Sequence, residues 1–238
     1  MSETSHFAVT RWTLVVQARG GDDAARAALS ELCSAYYAPV VSFLRADGRD
    51  EDRARDLAHE FFARVLAGRS LGGADPARGR FRSYLLGAVK HFLADMRDRD
   101  LAARRGAGAE TLPLDATGSA GSAPGFTPPA PARDDTAFDR QWALTVIARA
   151  LEAVGGELRA AGKGAYFETL KPWLSAGATQ PQAEVAARLG LSEGAVKVAI
   201  HRLRQRFREA VKAEIAHTVP AESDIDDELR HLIAVLAK

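Results

Sequence analysis

No packed core is expected to run through the middle of this chain. Residues 104–138, "RRGAGAETLPLDATGSAGSAPGFTPPAPARDDTAF", hold five of the ten prolines and five glycines, with no periodic apolar pattern. Such a stretch cannot bury enough apolar surface to offset its ordering entropy, and proline interrupts helix and sheet alike. As a coil of about 34 residues it reaches roughly 30 Å root-mean-square, so the pieces it joins can dock independently. The 238 residues therefore read as two small domains, 25–103 and 139–214, joined by this linker. An N-terminal extension, 1–24, precedes them and an acidic extension, 215–238, follows.

On both sides of the linker apolar residues recur at three and four positions rather than two, which predicts helices and no strands. In "DEDRARDLAHEFFARVLAG" the residues Ala54, Leu57, Ala58, Phe61 and Val65 share a face, and Gly68 ends the pattern. In "FRSYLLGAVKHFLADMRDRD" the residues Phe81, Leu85, Ala88, Phe92 and Met96 do the same. The second half offers "FDRQWALTVIARALEAVGGELRAAG", "GAYFETLKPWLSAG", "QAEVAARLG" and "LGLSEGAVKVAIHRLRQRFRE", then a last helix near 224–236. The expected fold is all-α: two small helical bundles. No run of eighteen apolar residues and no secretory leader pattern is present, so a cytoplasmic location without membrane contact is expected. The lone Cys33, in "ALSELCSAYY", excludes an internal disulfide and reads as a buried thiol in a helix.

A net charge of +1 conceals strong segregation. Residues 76–105 carry eight Arg/Lys against three Asp, and residues 188–212 carry seven against two Glu, each a net +5. From 213 onward there are six acids against two bases, and "ESDIDDE" supplies five of the six. Two basic regions are thus followed by an acidic tail. That tail reads either as a solvated helix start with acids near its N-terminus, or as a cap placed in cis over a basic surface.

The second basic region has the sequence form of a helix-turn-helix. Ala186, Gly190 and Val196 supply a small residue at close approach, a glycine to reverse the chain and a β-branched filler; Ser192 is a good N-cap. Val196, Ile200, Leu203 and Phe207 share an inward face, so Lys197, Val198, His201 and Arg202 become the candidate base readers. Arginine pairs bidentately with guanine, and Val198 can meet a thymine methyl. Arg204, Arg206 and Arg208 lie further along and suit phosphates. A helical hairpin with a solvated basic face is the plainer alternative.

The two halves together resemble the sigma-70 family of RNA polymerase subunits, of the extracytoplasmic-function type. The resemblance rests on Asp56, Leu57, His59, Glu60 and Phe61, then Phe81, Tyr84, Leu85, Asp95 and Arg97 to Arg99, and on "SEGAVK" opening the reading helix. It covers about residues 25–103 and 139–214; the flanks "TRWTLVVQAR" and "DDELRHLIAVL" resemble a subgroup known from planctomycetes and related bacteria. His59 stands where the family usually has Gln, and Val198 and Ala199 replace a common Ser-Arg pair. The resemblance implies a protein that binds core RNA polymerase, through its clamp coiled coil and flap, together with promoter DNA. Asp56, His59, Glu60, Phe62 and Arg64 would then meet polymerase. Arg78, Arg80, Arg82, Lys90 and Arg97 would hold the proximal promoter element and its melted strand. Glycines in "AGRSLGGADPARGRFRS" suit close backbone approach to such a strand; Phe81 belongs with the core stripe, while Tyr84 could stack on a base. An anti-sigma protein or a Ser/Thr kinase is the kind of regulator implied, although no Ser or Thr stands out as a phosphosite.

The rival reading is a free-standing helix-turn-helix regulator with an N-terminal sensing or dimerisation domain, which leaves the arginines of 78–105 unexplained. An enzyme is not expected, nor any cofactor or metal. The six histidines have no ligand spacing, no nucleophile motif is present, and "GKG" at 162–164 lacks the strand and spacing of a phosphate loop.

Overall fold

The computed structural model describes residues 23–67, 80–106, 135–175 and 180–237. The N-terminal extension up to residue 22, the loop containing Arg78 and the linker residues 107–134 lie outside them. Among the described residues the protein is all-α, with eight α-helices and no strand. They are α1 (Asp23–Ala46), α2 (Glu51–Leu66), α3 (Phe81–Gly106), α4 (Asp135–Ala160), α5 (Gly164–Leu170), α6 (Gln182–Leu189), α7 (Glu193–Ala216) and α8 (Ile225–Leu236).

Local chemistry sets the helix ends. The Asp50 carboxylate accepts the Arg53 backbone N–H at 2.8 Å and starts α2, with Glu51 and Asp52 in its first turn. The stripe expected in α2 is buried throughout: Ala54, Leu57, Ala58, Phe61 and Val65. Residues Arg26–Ala46 of α1 are long and apolar enough to cross a membrane by length and composition alone. Half of that window is buried, because Leu32, Tyr36, Val40 and Leu44 form the centre of the larger core.

Packing divides into two apolar clusters. The larger one is not confined to one side of the 104–138 segment. It joins α1, α2 and α3 with Phe138, Trp142, Ala143, Val146 and Ala150 of α4, with Val211 and Ile215 at the end of α7 and Val219 just after it, and with Leu232 of α8. The smaller cluster takes Val154 and Leu158 from the other half of α4, Phe167 and Leu170 of α5, Val185 and Ala186 of α6, and Val196, Ala199, Ile200 and Leu203 of α7. Helices α4 and α7 therefore run through both clusters, and the change of core falls within them. Between the clusters the Arg149 guanidinium donates to Glu214 at 2.8 Å, tying α4 to α7. Gly155 of α4 lies where an added Cβ would come within 2.8 Å of the Phe167 ring, so only a glycine lets α5 seat this closely.

Candidate nucleic-acid interface

The helix-turn-helix geometry begins with Gly190, which ends α6 at φ 65°, in the left-handed region that favours glycine. The Leu191 N–H then reaches back to the Ala186 carbonyl at 2.9 Å. Ser192 caps α7, its hydroxyl accepting the Ala195 N–H at 3.2 Å. Ala186 and Val196 are both buried where the two helices meet, as their size and spacing predict.

Burying Val196, Ala199, Ile200 and Leu203 fixes the roll of α7. Lys197, Val198, His201 and Arg202 consequently emerge on the outside together, near the N-terminal end of the helix, with Arg206 and Arg208 beyond them. Val198 is 49% exposed among these cations, where an apolar side chain gains nothing from the fold. Arg204 is exposed too, but its Nε donates to the Trp173 carbonyl at 3.0 Å, holding the turn after α5 against α7.

The basic residues of α3 have a different setting. At its N-terminus Arg80 Nη1 donates to Glu228 of α8 at 2.6 Å, with Asp227 a further 3.5 Å partner. Arg82 donates to the same Glu228 carboxylate from Nη2 at 3.2 Å and from Nε at 3.3 Å, and to Asp139 of α4 at 2.6 Å. Its guanidinium also lies 5.1 Å from the centre of the Trp142 ring. Burial by itself would lower the Arg82 pKa, but the Glu228 and Asp139 carboxylates more than reverse this and hold it above its ordinary value. His231 of α8 closes the network on Asp139 at 3.2 Å. Further along α3, Lys90 pairs with Asp135 at 2.6 Å, and Arg97 donates to both oxygens of Asp47 at 2.9 Å. All four described cations of the proximal set are thus met by carboxylates of the same chain, and only Arg80 and Arg82 share one network. Phe81 is fully buried, stacking edge-on to Tyr36 at 5.1 Å. Tyr84 is half-buried, and burial pushes its hydroxyl up to about 12.

The set expected on α2 is partly on the surface. Asp56, His59 and Glu60 are exposed on one side of the helix. His59 stacks on Tyr37, ring centres 5.2 Å apart, and shares a 2.9 Å hydrogen bond with its hydroxyl. Glu60 pairs with Arg64, whose guanidinium lies 4.9 Å from the centre of the Phe92 ring. Phe62 is buried against Phe61 and Tyr37, so it serves the core and is not presented to a partner.

Sequence reasoning did not single out Asp47, Asp135, Asp139, Trp173 or Glu228. For Glu228 there was a signal. Ile225, Glu228, Leu232 and Val235 follow helical spacing, so Glu228 takes an apolar-face position that a solvated acid would avoid. No protein-family model matches the chain, and no curated protein or solved structure matches it significantly.

Proposed function

We propose that the protein is a dissociable promoter-specificity subunit of RNA polymerase, a sigma-70 family member of the extracytoplasmic-function type. The observation that carries this reading is α7: a capped second helix of a helix-turn-helix, with Lys197, Val198, His201 and Arg202 turned outward and its apolar face committed to the fold. Such a helix enters a major groove by its N-terminal half, while Arg206 and Arg208 suit the flanking phosphates. In this reading residues 139–214 read the upstream element. Residues 25–103 bind the polymerase clamp through Asp56, His59, Glu60 and Arg64, and take the melted strand through the arginines of 78–97. The linker lets the two halves reach separate elements once they part. The protein is a binding protein without catalytic residues, acting in the cytoplasm, where core polymerase and promoter DNA are its partners.

Mixing the chain with core polymerase lacking any such subunit tests the reading. A stoichiometric complex, weakened by reversing the charge of Asp56 and Glu60, is expected; absence of a complex overturns it. One observation favours a second reading, the free-standing regulator: helices from both sides of the linker share the larger core, as they would in one compact protein. Such a protein would bind duplex DNA through α7 and ignore polymerase.

A further inference from the structure

The network around Glu228 is an unusual way to attach a helix. Of the described apolar side chains of α8, Leu232 alone is fully buried, with Ile225, Leu229 and Val235 half-buried and Ile233 and Leu236 exposed. The apolar grip is thin. The same helix buries a carboxylate, 1% exposed, on two guanidiniums. If holding the fold were the only demand on position 228, a well-packed hydrocarbon would serve as well or better, since desolvating charges is costly. The other side of the contact is equally particular. α3 has no acid in its first turn, and Arg80 and Arg82 flank that end, so its N–H groups and both cations concentrate positive potential there. Two guanidiniums converge at that end of the helix, and the buried Glu228 carboxylate holds both.

We infer that α8 is an intramolecular strap whose Glu228 and Asp227 carboxylates stand in for nucleic-acid phosphates, withholding Arg80 and Arg82 until a single strand displaces them. The inference rests on the nucleic-acid reading above and adds its regulation. Three further contacts set what the strap controls. Asp226 pairs with Lys212 of α7 at 3.3 Å, His231 holds Asp139 of α4, and the Phe81 N–H donates to the Thr218 carbonyl in the turn leading to α8. The strap therefore covers the N-terminal end of α3 and also binds it to α4 and to α7, the helix that carries the reading face. Displacing α8 frees Arg80 and leaves Arg82 with Asp139 as its one remaining carboxylate, while the packing of α4 on α1 stays in place.

The test uses the full chain and a labelled oligothymidylate of about 20 nucleotides, long enough to follow a basic groove. Glu228→Gln, which keeps the shape and removes the charge, is expected to bind the strand about tenfold more tightly at ~50 mM salt, within the usual range for coupled sites. Adding Arg80→Ala is expected to remove the gain. A Glu228→Gln protein that melts cooperatively yet binds with wild-type affinity and wild-type salt dependence overturns the strap. Should that variant not fold, the wild-type chain decides by hydrogen exchange. Amides of 225–236 are expected to lose protection when oligothymidylate binds, and unchanged protection at saturation overturns the inference. Inorganic phosphate at matched ionic strength should leave α8 protected; deprotection by it would assign the site to a small anion instead. A random-sequence duplex reads α7 separately. If Arg206→Ala leaves duplex binding unaltered, the reading-helix proposal falls, while the oligothymidylate result still stands for or against the strap.

Discussion

Replacing Glu228 with Ala should destabilise the protein by about 3 kcal/mol, near the low end of the ~3–5 kcal/mol that follows removal of one partner from a buried ion pair. The geometry sets that position in the range. Glu228 takes the Arg80 guanidinium at 2.6 Å and the Arg82 guanidinium at 3.2 and 3.3 Å, and the Arg82 side chain is only 11% exposed. Neither arginine is left without a carboxylate, however, because Asp139 stays 2.6 Å from Arg82 and Asp227 stays 3.5 Å from Arg80. A domain of this size commonly has ~5–15 kcal/mol in hand, so the variant should fold. At about 2–4 °C per kcal/mol, its melting midpoint should drop by roughly 6–12 °C. Urea denaturation should give a lower midpoint with an unaltered slope, and Arg80→Ala combined with Glu228→Ala should cost less than the two single changes added together. A midpoint within ~1 °C of wild type would refute the reasoning, since a carboxylate buried on two guanidiniums cannot be removed at no cost.

Arg202→Ala should cost about 1–3 kcal/mol in duplex affinity and relax preference at one base pair, whereas Arg206→Ala should weaken all sequences alike and lower the salt slope by about one; selection from a random duplex library checks both. Gly190→Ala should cost about 1–2 kcal/mol from its left-handed backbone alone, because an added Cβ there meets nothing within 4 Å; a chemical melt checks it. Stability should also fall in alkali. Burial pushes the Cys33 thiol up from 9.0 to about 12 and the Tyr84 hydroxyl up from 10.0 to about 12, and it raises Tyr36 as well. The folded chain thus holds these protons more tightly than the unfolded chain. Their contribution is intact below pH 9.0 and is lost as pH climbs from there toward 12. Arg82, raised too, is charged in both states across that window and adds nothing to the slope. Urea midpoints that stay flat over that rise would contradict burial of the thiol and the two rings.

Some of this was legible in the sequence because it is written locally. The stripe of α2 from Ala54 to Val65, and the succession Ala186, Gly190, Ser192, Val196, each encode their structure within one or two helical turns. The exposure of Lys197, Val198, His201 and Arg202 follows from burying Val196, Ile200 and Leu203 on the opposite side, so periodicity alone predicted that face. The partners of the first basic region were not legible. Arg80 and Arg82 meet Glu228 across 148 and 146 residues, and nothing in a single chain pairs charges so far apart. Linker composition likewise gave no sign that Phe138, its last residue, and Trp142, just beyond it, would stack into the core of α1. Their spacing of four suits one helical face, but a face does not name what it will cover. The acidic tail was read as either solvated or capping, and only the burial of Glu228 among its neighbours separates the two.

Run-off transcription with core polymerase and a randomised promoter library tests the central claim most directly. The claim predicts transcripts that require this protein and arise from a subset of templates sharing two spaced elements. Lys197→Ala with Arg202→Ala should change which upstream element is chosen, and Glu228→Gln should raise output at low protein concentration. Transcripts no more frequent than with core polymerase alone, from a protein that nonetheless binds duplex DNA through α7, would contradict the claim and leave a free-standing regulator in its place.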